Sequence, residues 1–240
     1  MKNYFRFFIY LYFFIGVSLA KAGAYEDFFK AIHFDQDQVV ANLIARGMDP
    51  NTPNEKGVPA LIVALTSGAP KTALFLAKHP QTRVDVENAM NETPLMLAAF
   101  HNQLEVCEVL IEREADVNRK GWTPLHYAAT KGNIAIMRLL LEENAYIDAE
   151  SPNGTTPLMM AAYYGSPLSV KLLLEEGADP NLRNHGKASA LDLALSAERA
   201  QSAAYIKAFL EAWHVQENKN EEAAKRETEE QTTQTPKPAN

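Results

Sequence analysis

The sequence has few of the residues and motifs on which many enzymes and membrane proteins depend. Its one cysteine, Cys107, can neither form an internal disulfide nor supply a multi-cysteine zinc site. The 240-residue chain has no run of about 18 or more apolar residues, which excludes a protein that crosses a membrane several times. Asp and Glu (30) outnumber Lys and Arg (23), so the basic excess of nucleic-acid-binding proteins is absent and no nucleic-acid partner is expected.

Motifs for cofactors, metals and catalysis are missing as well. No two of the 11 glycines are one residue apart, and no HExxH, CxxC, GxSxG or GxxxxGK segment occurs. Residues 35–37 begin like a calcium-binding loop, but Val40 and Arg46 occupy the positions of its turn glycine and its bidentate glutamate. No pair among the six histidines has the i, i+4 spacing of a helical metal site. We therefore expect no cofactor, no metal and no catalytic residue, with an enzyme that has a dispersed site as a distant alternative.

Residues 1–24 have the pattern of a secretory signal peptide. Two basic residues near the start precede an apolar stretch from Phe7 to Leu19, and Ala22 and Ala24 each complete a small-x-small cleavage pattern. The apolar stretch is short for a bilayer span, and an uncleaved anchor is the alternative. We expect cleavage after Ala22 or Ala24, which would leave an exported protein with no stable membrane anchor.

Residues 215–240 form a polar segment without Leu, Ile, Phe, Trp, Tyr or Met. Such a segment cannot bury enough apolar area to offset its chain entropy, so we expect a disordered tail. The folded domain is therefore expected at residues 25–214.

Within residues 25–214 a leucine recurs at nearly constant intervals. The intervals are 34, 30, 33 and 33 residues, and Phe28 fits as an earlier member of the series Leu61, Leu95, Leu125, Leu158 and Leu191. Each repeat has two segments with apolar residues at helical spacing, followed by a polar stretch with Asp and Asn. This pattern predicts six stacked repeats at about 25–56, 57–90, 91–120, 121–153, 154–186 and 187–214.

Short motifs recur in register with this period. Thr-Pro-Leu begins at Thr93, Thr123 and Thr156, and it continues as Thr-Pro-Leu-His at residues 123–126. Residues 177–181 read Gly-Ala-Asp-Pro-Asn. These motifs make about 190 residues of the sequence resemble the ankyrin repeat. The resemblance implies an all-α ankyrin-repeat solenoid of about six helix-turn-helix units with projecting β-turn loops, and a non-enzymatic role in binding other proteins.

The motifs also have a direct physical meaning. Threonine is a good N-cap because its side-chain oxygen can accept a hydrogen bond from an N–H of the first turn. Proline suits the next position because it lacks an N–H, which would have no partner in the first turn. Gly132 and Gly165 are expected to end first helices with a positive φ angle. Ser189 and Asp192 have the spacing of a capping box.

Three further expectations concern single segments. The loop at Arg119-Lys120 should be stunted, because the repeat containing it is short. Residues 77–90 lack the closing motif, which leaves the end of their helix undefined. Cys107 lies on the apolar stripe of a second helix, flanked by two glutamates, and is expected to be a buried core residue rather than a redox thiol.

In the ankyrin family the partner usually binds the concave side, formed by the projecting loops and the ends of the first helices. The resemblance assigns eight residues of this sequence to that side: Phe34, Phe100, His101, Trp122, Thr130, Lys131, Tyr163 and Tyr164. The pairs that end three consecutive first helices should form one contiguous patch, with Trp122 at its border. For Trp122, packing between adjacent loops is the alternative.

These observations together predict an exported, monomeric protein-binding module with a protein partner. A bacterial periplasm is favoured, because sequons begin at Asn91 and Asn153, on expected loop tips, and sugars there would crowd the binding edge in a eukaryotic secretory route. An effector exported towards a host, using the same repeats, is the alternative.

Overall fold

The structure, a computed structural model, describes residues 23–213 and residue 215. The expected signal peptide and nearly all of the expected tail lie outside these residues. The described residues form twelve helices, with no β-structure among them beyond two isolated bridges, Pro53–Pro59 and Arg183–Ser189. None of these described helices has the length and apolar character needed to cross a membrane.

The helices form six pairs, one pair in each predicted repeat, which confirms the all-α repeat fold. The first helices of the pairs are α1 (23–33), α3 (Ala60–Thr66), α5 (Pro94–Phe100), α7 (Pro124–Lys131), α9 (Pro157–Tyr163) and α11 (Ala190–Ser196). The second helices are α2 (Asp37–Ala45), α4 (Pro70–Lys78), α6 (Leu104–Glu112), α8 (Ile134–Glu142), α10 (Pro167–Glu175) and α12 (200–213).

The chain divides into two compact halves. The N-terminal half consists of residues 23–128 and 133–146, and the C-terminal half consists of residues 129–132, 147–213 and 215. In the N-terminal half α3 packs against α4 and α5, and α6 packs against α4 and α8. In the C-terminal half α9 packs against both α10 and α11. Small residues allow this packing, because paired alanines in α5 and α9 are fully buried.

Three first helices, α5, α7 and α11, begin with the N–H of the N-cap residue bonded to the side chain three residues later, and each uses a different acceptor atom. In α7 the N–H of Thr123 donates to Nδ1 of His126 at 3.1 Å. In α5 the sulfur of Met96 takes the imidazole's place, at 3.5 Å from the nitrogen of Thr93. In α11 a carboxylate does so, and the predicted capping box of Ser189 is confirmed. At this position a thioether sulfur or a carboxylate therefore takes the place of the motif histidine.

The two glycines expected to end first helices differ from one another. Gly132 has the positive φ angle that was predicted, at +75°. The prediction was wrong for Gly165, whose φ angle lies outside the positive range. A Cβ atom on Gly165 would lie 2.5 Å from the carbonyl oxygen of Ala129. Glycine is therefore needed there because two backbones approach closely, and not because of a left-handed turn.

Helix α4, whose following segment lacks the closing motif, ends differently from other second helices. The second helices α2 and α10 are followed by Gly47 and Gly177 with positive φ angles. By contrast, α4 is followed by His79 in an extended conformation. The guanidinium of Arg113, at the end of α6, donates to four carbonyl oxygens in the last turn of α4 and just beyond it, at distances of 2.6–3.2 Å. These oxygens belong to Ala77, His79, Pro80 and Thr82.

The loop predicted to be stunted is short in the structure. Residues 113–123 connect α6 to α7, whereas residues 143–156 connect α8 to α9. The longer loop closes a tight turn through the N–H of Ser151 and the carbonyl of Thr155 at 3.0 Å. The predicted short loop is thus confirmed at Arg119-Lys120.

Candidate protein-binding surfaces

In the N-terminal half, the predicted residues at the ends of the first helices are partly exposed. Phe34 follows α1 and is 66% exposed. Phe100 is half-buried at the end of α5, where its ring lies edge-on to that of Tyr127, with centroids 6.0 Å apart. His101 is exposed beside it, with its ring 5.2 Å from that of Phe100. This end of α5 therefore presents aromatic surface.

Trp122 has a packing role in the same half. Its half-buried ring lies edge-on to the buried imidazole of His126, with centroids 5.2 Å apart. This contact supports the start of α7, where His126 caps Thr123. This contact lies within the repeat of Trp122 itself, so both its participation in binding and the alternative of packing between adjacent loops stay predictions.

The loop from α4 to α5 ends in a tight turn at residues 88–92, which we name the Met90 turn. The N–H of Asn88 donates to the carbonyl of Glu92 at 3.1 Å, and the N–H of Asn91 donates to the carbonyl of Asn88 at 3.0 Å. The side-chain oxygen of Asn88 accepts from the N–H groups of Met90 and Glu92. Asn91 takes the left-handed conformation at φ +58°. These bonds hold Met90 at the apex, where it is 72% exposed.

Two contacts hold the Met90 turn and its base against the following repeat. The hydroxyl of Tyr127 donates to Oε1 of Glu92 at 2.9 Å, and the amide of Asn88 donates to Oε2 at 2.7 Å. Burial and the neighbouring Glu92 carboxylate raise the pKa of Tyr127 far above its usual range, so the hydroxyl remains a donor. Arg119 forms an ion pair with Glu87 at 2.9 Å, just before the turn.

In the C-terminal half, the end of α9 presents two tyrosines. Tyr163 is half-buried and Tyr164 is 56% exposed, with ring centroids 4.5 Å apart in an edge-on arrangement. Adjacent residues of a helix point in different directions, so both tyrosines cannot lie on one buried stripe of α9. Met160 is half-buried one turn before Tyr163, on the same face of α9. Leu193 is half-buried at the equivalent position of α11.

Basic residues flank this tyrosine pair. The Nε of Arg199 donates to the carbonyl oxygen of Tyr163 at 3.3 Å. Lys131 is exposed at the end of α7, next to the half-buried Thr130. We name this set the tyrosine surface, and it consists of Thr130, Lys131, Met160, Tyr163, Tyr164, Leu193 and Arg199.

The predicted residues are thus distributed over both halves. Phe34, Phe100, His101 and Trp122 lie in the N-terminal half, and the other four lie in the C-terminal half. The single contiguous patch expected from the sequence stays a prediction. Sequence reasoning missed Tyr127 and Met160, although both occupy the variable position just before the paired alanines of their motif. It also missed Met90.

The described residues offer little for covalent or metal chemistry. No group of three or more His, Cys, Asp or Glu side chains in the described part of the chain could hold a metal ion. Cys107 is buried, as predicted, and burial raises the pKa of its thiol to about 12. A thiol with this pKa is almost entirely protonated at neutral pH and is therefore a poor nucleophile.

Comparisons with known proteins agree with this architecture. A family model of ankyrin repeats (three copies) matches residues 28–121 and 115–184. The ankyrin repeat and SAM domain-containing protein 6 of Rattus norvegicus is 35% identical over 109 residues, which is 44% of this chain and 12% of that protein. The ankyrin repeat-containing protein C6C3.08 of Schizosaccharomyces pombe is 37% identical over 106 residues, which is 40% of this chain and 44% of that protein. This chain therefore spans less than half the length of either relative.

A solved structure covers more of the chain. It is a chain from the complex of the predatory endopeptidase Bd0816 of Bdellovibrio bacteriovorus with the immunity protein Bd3460. The likeness has a TM-score of 0.65 at 26% identity, and it covers 75% of this chain and 96% of that chain.

Proposed function

This chain belongs to the ankyrin repeat family and is a protein–protein interaction module, and we propose that it is exported and binds its partner through the tyrosine surface. The family is typically non-enzymatic, and we propose the same for this chain. The observation that carries the proposal is the exposed Tyr163–Tyr164 pair. Aromatic side chains with large exposed area are enriched among residues that dominate binding energy.

The tyrosine surface has the composition of a binding site. Its centre is apolar, formed by Met160, Tyr163, Tyr164 and Leu193, and its edges carry the cations of Lys131 and Arg199. A centre that excludes water within a polar rim is the usual arrangement of a protein–protein interface. The two cations suit a partner segment that carries acidic residues beside an apolar or aromatic anchor.

The proposed location and partner class have separate support. Export to a bacterial periplasm is supported by the signal-like pattern of residues 1–24. The solved complex that contains a similar chain consists of a peptidase and an immunity protein. We therefore propose that this chain binds and restrains a peptidase of the same compartment, as a monomer.

Affinity capture from the native compartment, followed by mass spectrometry, tests this function. Tyr163→Ala combined with Tyr164→Ala should weaken capture of the peptidase by about 30-fold or more, because loss of an aromatic anchor typically costs about 2 kcal/mol. Tyr146→Ala is the matched control, since Tyr146 is 66% exposed but lies in the N-terminal half outside the predicted surface. Its capture should equal that of the unsubstituted chain.

Three outcomes would each contradict a part of the proposal. Normal capture by the double tyrosine variant, with loss of capture after substitutions on the exposed faces of the second helices, would move the binding surface to those faces. Cell fractionation that finds the mature chain in the culture supernatant alone would favour the alternative of a host-directed effector. Loss of a measurable turnover after substitution of one His or Asp would revive an enzymatic role.

A further inference from the structure

We propose that the Met90 turn is a second binding element, which inserts Met90 into an apolar pocket in the substrate cleft of the peptidase. This inference rests on the proposed function, since it names the part of that partner that is bound. The turn lies in the N-terminal half and shares no residue with the tyrosine surface.

Met90 differs from the residues at the same position of the other turns. Four loops close a comparable turn between an N–H and the carbonyl four residues later, at 54–58, 88–92, 151–155 and 184–188. The position two residues after the start is occupied by Lys56, Met90, Asn153 and Gly186, respectively. Of these four turns, the Met90 turn alone has a long apolar side chain at its apex. The other three close without one, so the side chain of Met90 is not needed to close its turn.

The Met90 turn is already ordered before any partner binds. The side-chain oxygen of Asn88 accepts hydrogen bonds from the N–H groups of Met90 and Glu92, and Asn91 already has the left-handed conformation in the free protein. An element that is rigid in its bound shape loses little conformational entropy on association. The backbone at the apex is fixed, and the flexible side chain of methionine can adjust its shape to an irregular apolar pocket.

The charges beside the apex already have partners. Glu92 accepts hydrogen bonds from Tyr127 and Asn88, and Glu87 is paired with Arg119. Inserting the turn into a pocket therefore does not strip water from an unpaired carboxylate, which would oppose burial. Tyr127 acts as a positioning residue, because its hydroxyl fixes the turn relative to α7.

The shape of this element determines the shape of its partner. A single large side chain at a convex apex can be buried only by a concave surface, since a flat partner would cover one side of it. The neighbouring loop 113–123 is short, which leaves the walls of a cleft room on that flank. Enzyme clefts are concave and mostly apolar, and the solved complex with a similar chain contains a peptidase.

Site-specific photo-crosslinking of the full-length chain, in the cells that make it, tests the inference. The probe is p-benzoylphenylalanine, placed in separate chains at Met90, at Lys56 as the matched apex, and at Tyr164. We expect position 90 to give an adduct that mass spectrometry maps to a residue lining the substrate cleft of a peptidase. Position 56 should not give this adduct.

A second variant tests the positioning role of Tyr127. Tyr127→Phe removes one hydroxyl and should reduce the yield of the position-90 adduct several-fold. Amide exchange at Met90 and Asn91 should become faster in this variant, while circular dichroism and exchange within α7 stay unchanged. Unchanged adduct yield and unchanged exchange would show that Tyr127 does not position the turn.

The remaining outcomes separate this inference from the proposed function. An adduct from position 164 without one from position 90 would overturn the inference and leave the proposed function standing. An adduct from position 90 outside a peptidase cleft, or an equal one from position 56, would overturn it as well. Absence of adducts from both 90 and 164 would overturn the inference and the proposed function together.

Discussion

Arg113 should stabilise the fold far more than an ordinary surface arginine. Its guanidinium donates to four carbonyl oxygens in the last turn of α4 and just beyond it, and the two shortest bonds, to Ala77 and Thr82, measure 2.6 and 2.7 Å. These acceptors lie at the negative end of a helix that has no left-handed closing residue, so the cation also complements the helix dipole. Replacement by methionine keeps the aliphatic packing and removes every donor.

The expected loss can be estimated from these contacts. A hydrogen bond to a charged group contributes about 1.5–3 kcal/mol, and water can replace the guanidinium at the exposed Pro80 carbonyl. We therefore expect Arg113→Met to lower the free energy of unfolding by about 3–5 kcal/mol. Arg113→Lys should recover only part of this loss, because an ammonium group cannot span four carbonyls in the way a planar fork can.

Urea unfolding followed by circular dichroism measures these changes. Arg46→Met is the matched control, since Arg46 ends α2 as Arg113 ends α6 but is exposed. We expect the control to change stability by less than about 0.5 kcal/mol. Equal stability of Arg113→Met and Arg46→Met would refute the reasoning, and full stability in Arg113→Lys would show that charge rather than geometry matters.

Three further predictions concern other parts of the fold. Gly165→Ala should destabilise the chain by about 1–3 kcal/mol in urea unfolding, because its Cβ would collide with the carbonyl of Ala129; an unchanged midpoint would contradict this. Cys107, whose pKa is raised to about 12, should resist a thiol reagent at pH 8 in the folded chain and react fully in denaturant. The absorbance of the reagent measures the reaction, and rapid reaction of the folded chain would contradict the burial of Cys107. Hydrogen bonds from Ser189, with smaller help from Arg183, lower the pKa of Asp192. A lowered pKa stabilises the folded state above the unfolded pKa of about 4, and this stability disappears as the pH falls through the folded value. The stability of the parent chain, measured by thermal unfolding, should therefore lose the contribution of ionised Asp192 below about pH 4. Asp192→Ala lacks this contribution at every pH, so identical pH profiles of the two chains would exclude it.

Much of the fold could be predicted because its determinants are local. Threonine followed by proline caps a helix through atoms within three residues. The recurring leucines are buried from Leu61 to Leu158, and Leu191 of the last repeat is half-buried. Period and motif therefore predicted six helix pairs, the short loop at Arg119-Lys120 and the burial of Cys107.

The failures have a common physical origin in contacts between neighbouring repeats. Gly165 is determined by the backbone of Ala129, and the end of α4 is determined by Arg113, more than 30 residues away. A helical period gives no sign of such contacts. The Met90 turn was missed in part for the same reason, since the contact that holds it against α7 comes from Tyr127, 35 residues after Glu92.

The central claim is that this module binds its partner through the tyrosine surface, and hydroxyl-radical footprinting of the complex tests it most directly. Labelling of each tyrosine would be compared between the free chain and the chain bound to its captured partner. The account predicts that labelling of Tyr164 falls several-fold on binding, while labelling of Tyr146, which is somewhat more exposed in the free chain, stays unchanged. Unchanged labelling of Tyr164 in a saturated complex would contradict the account.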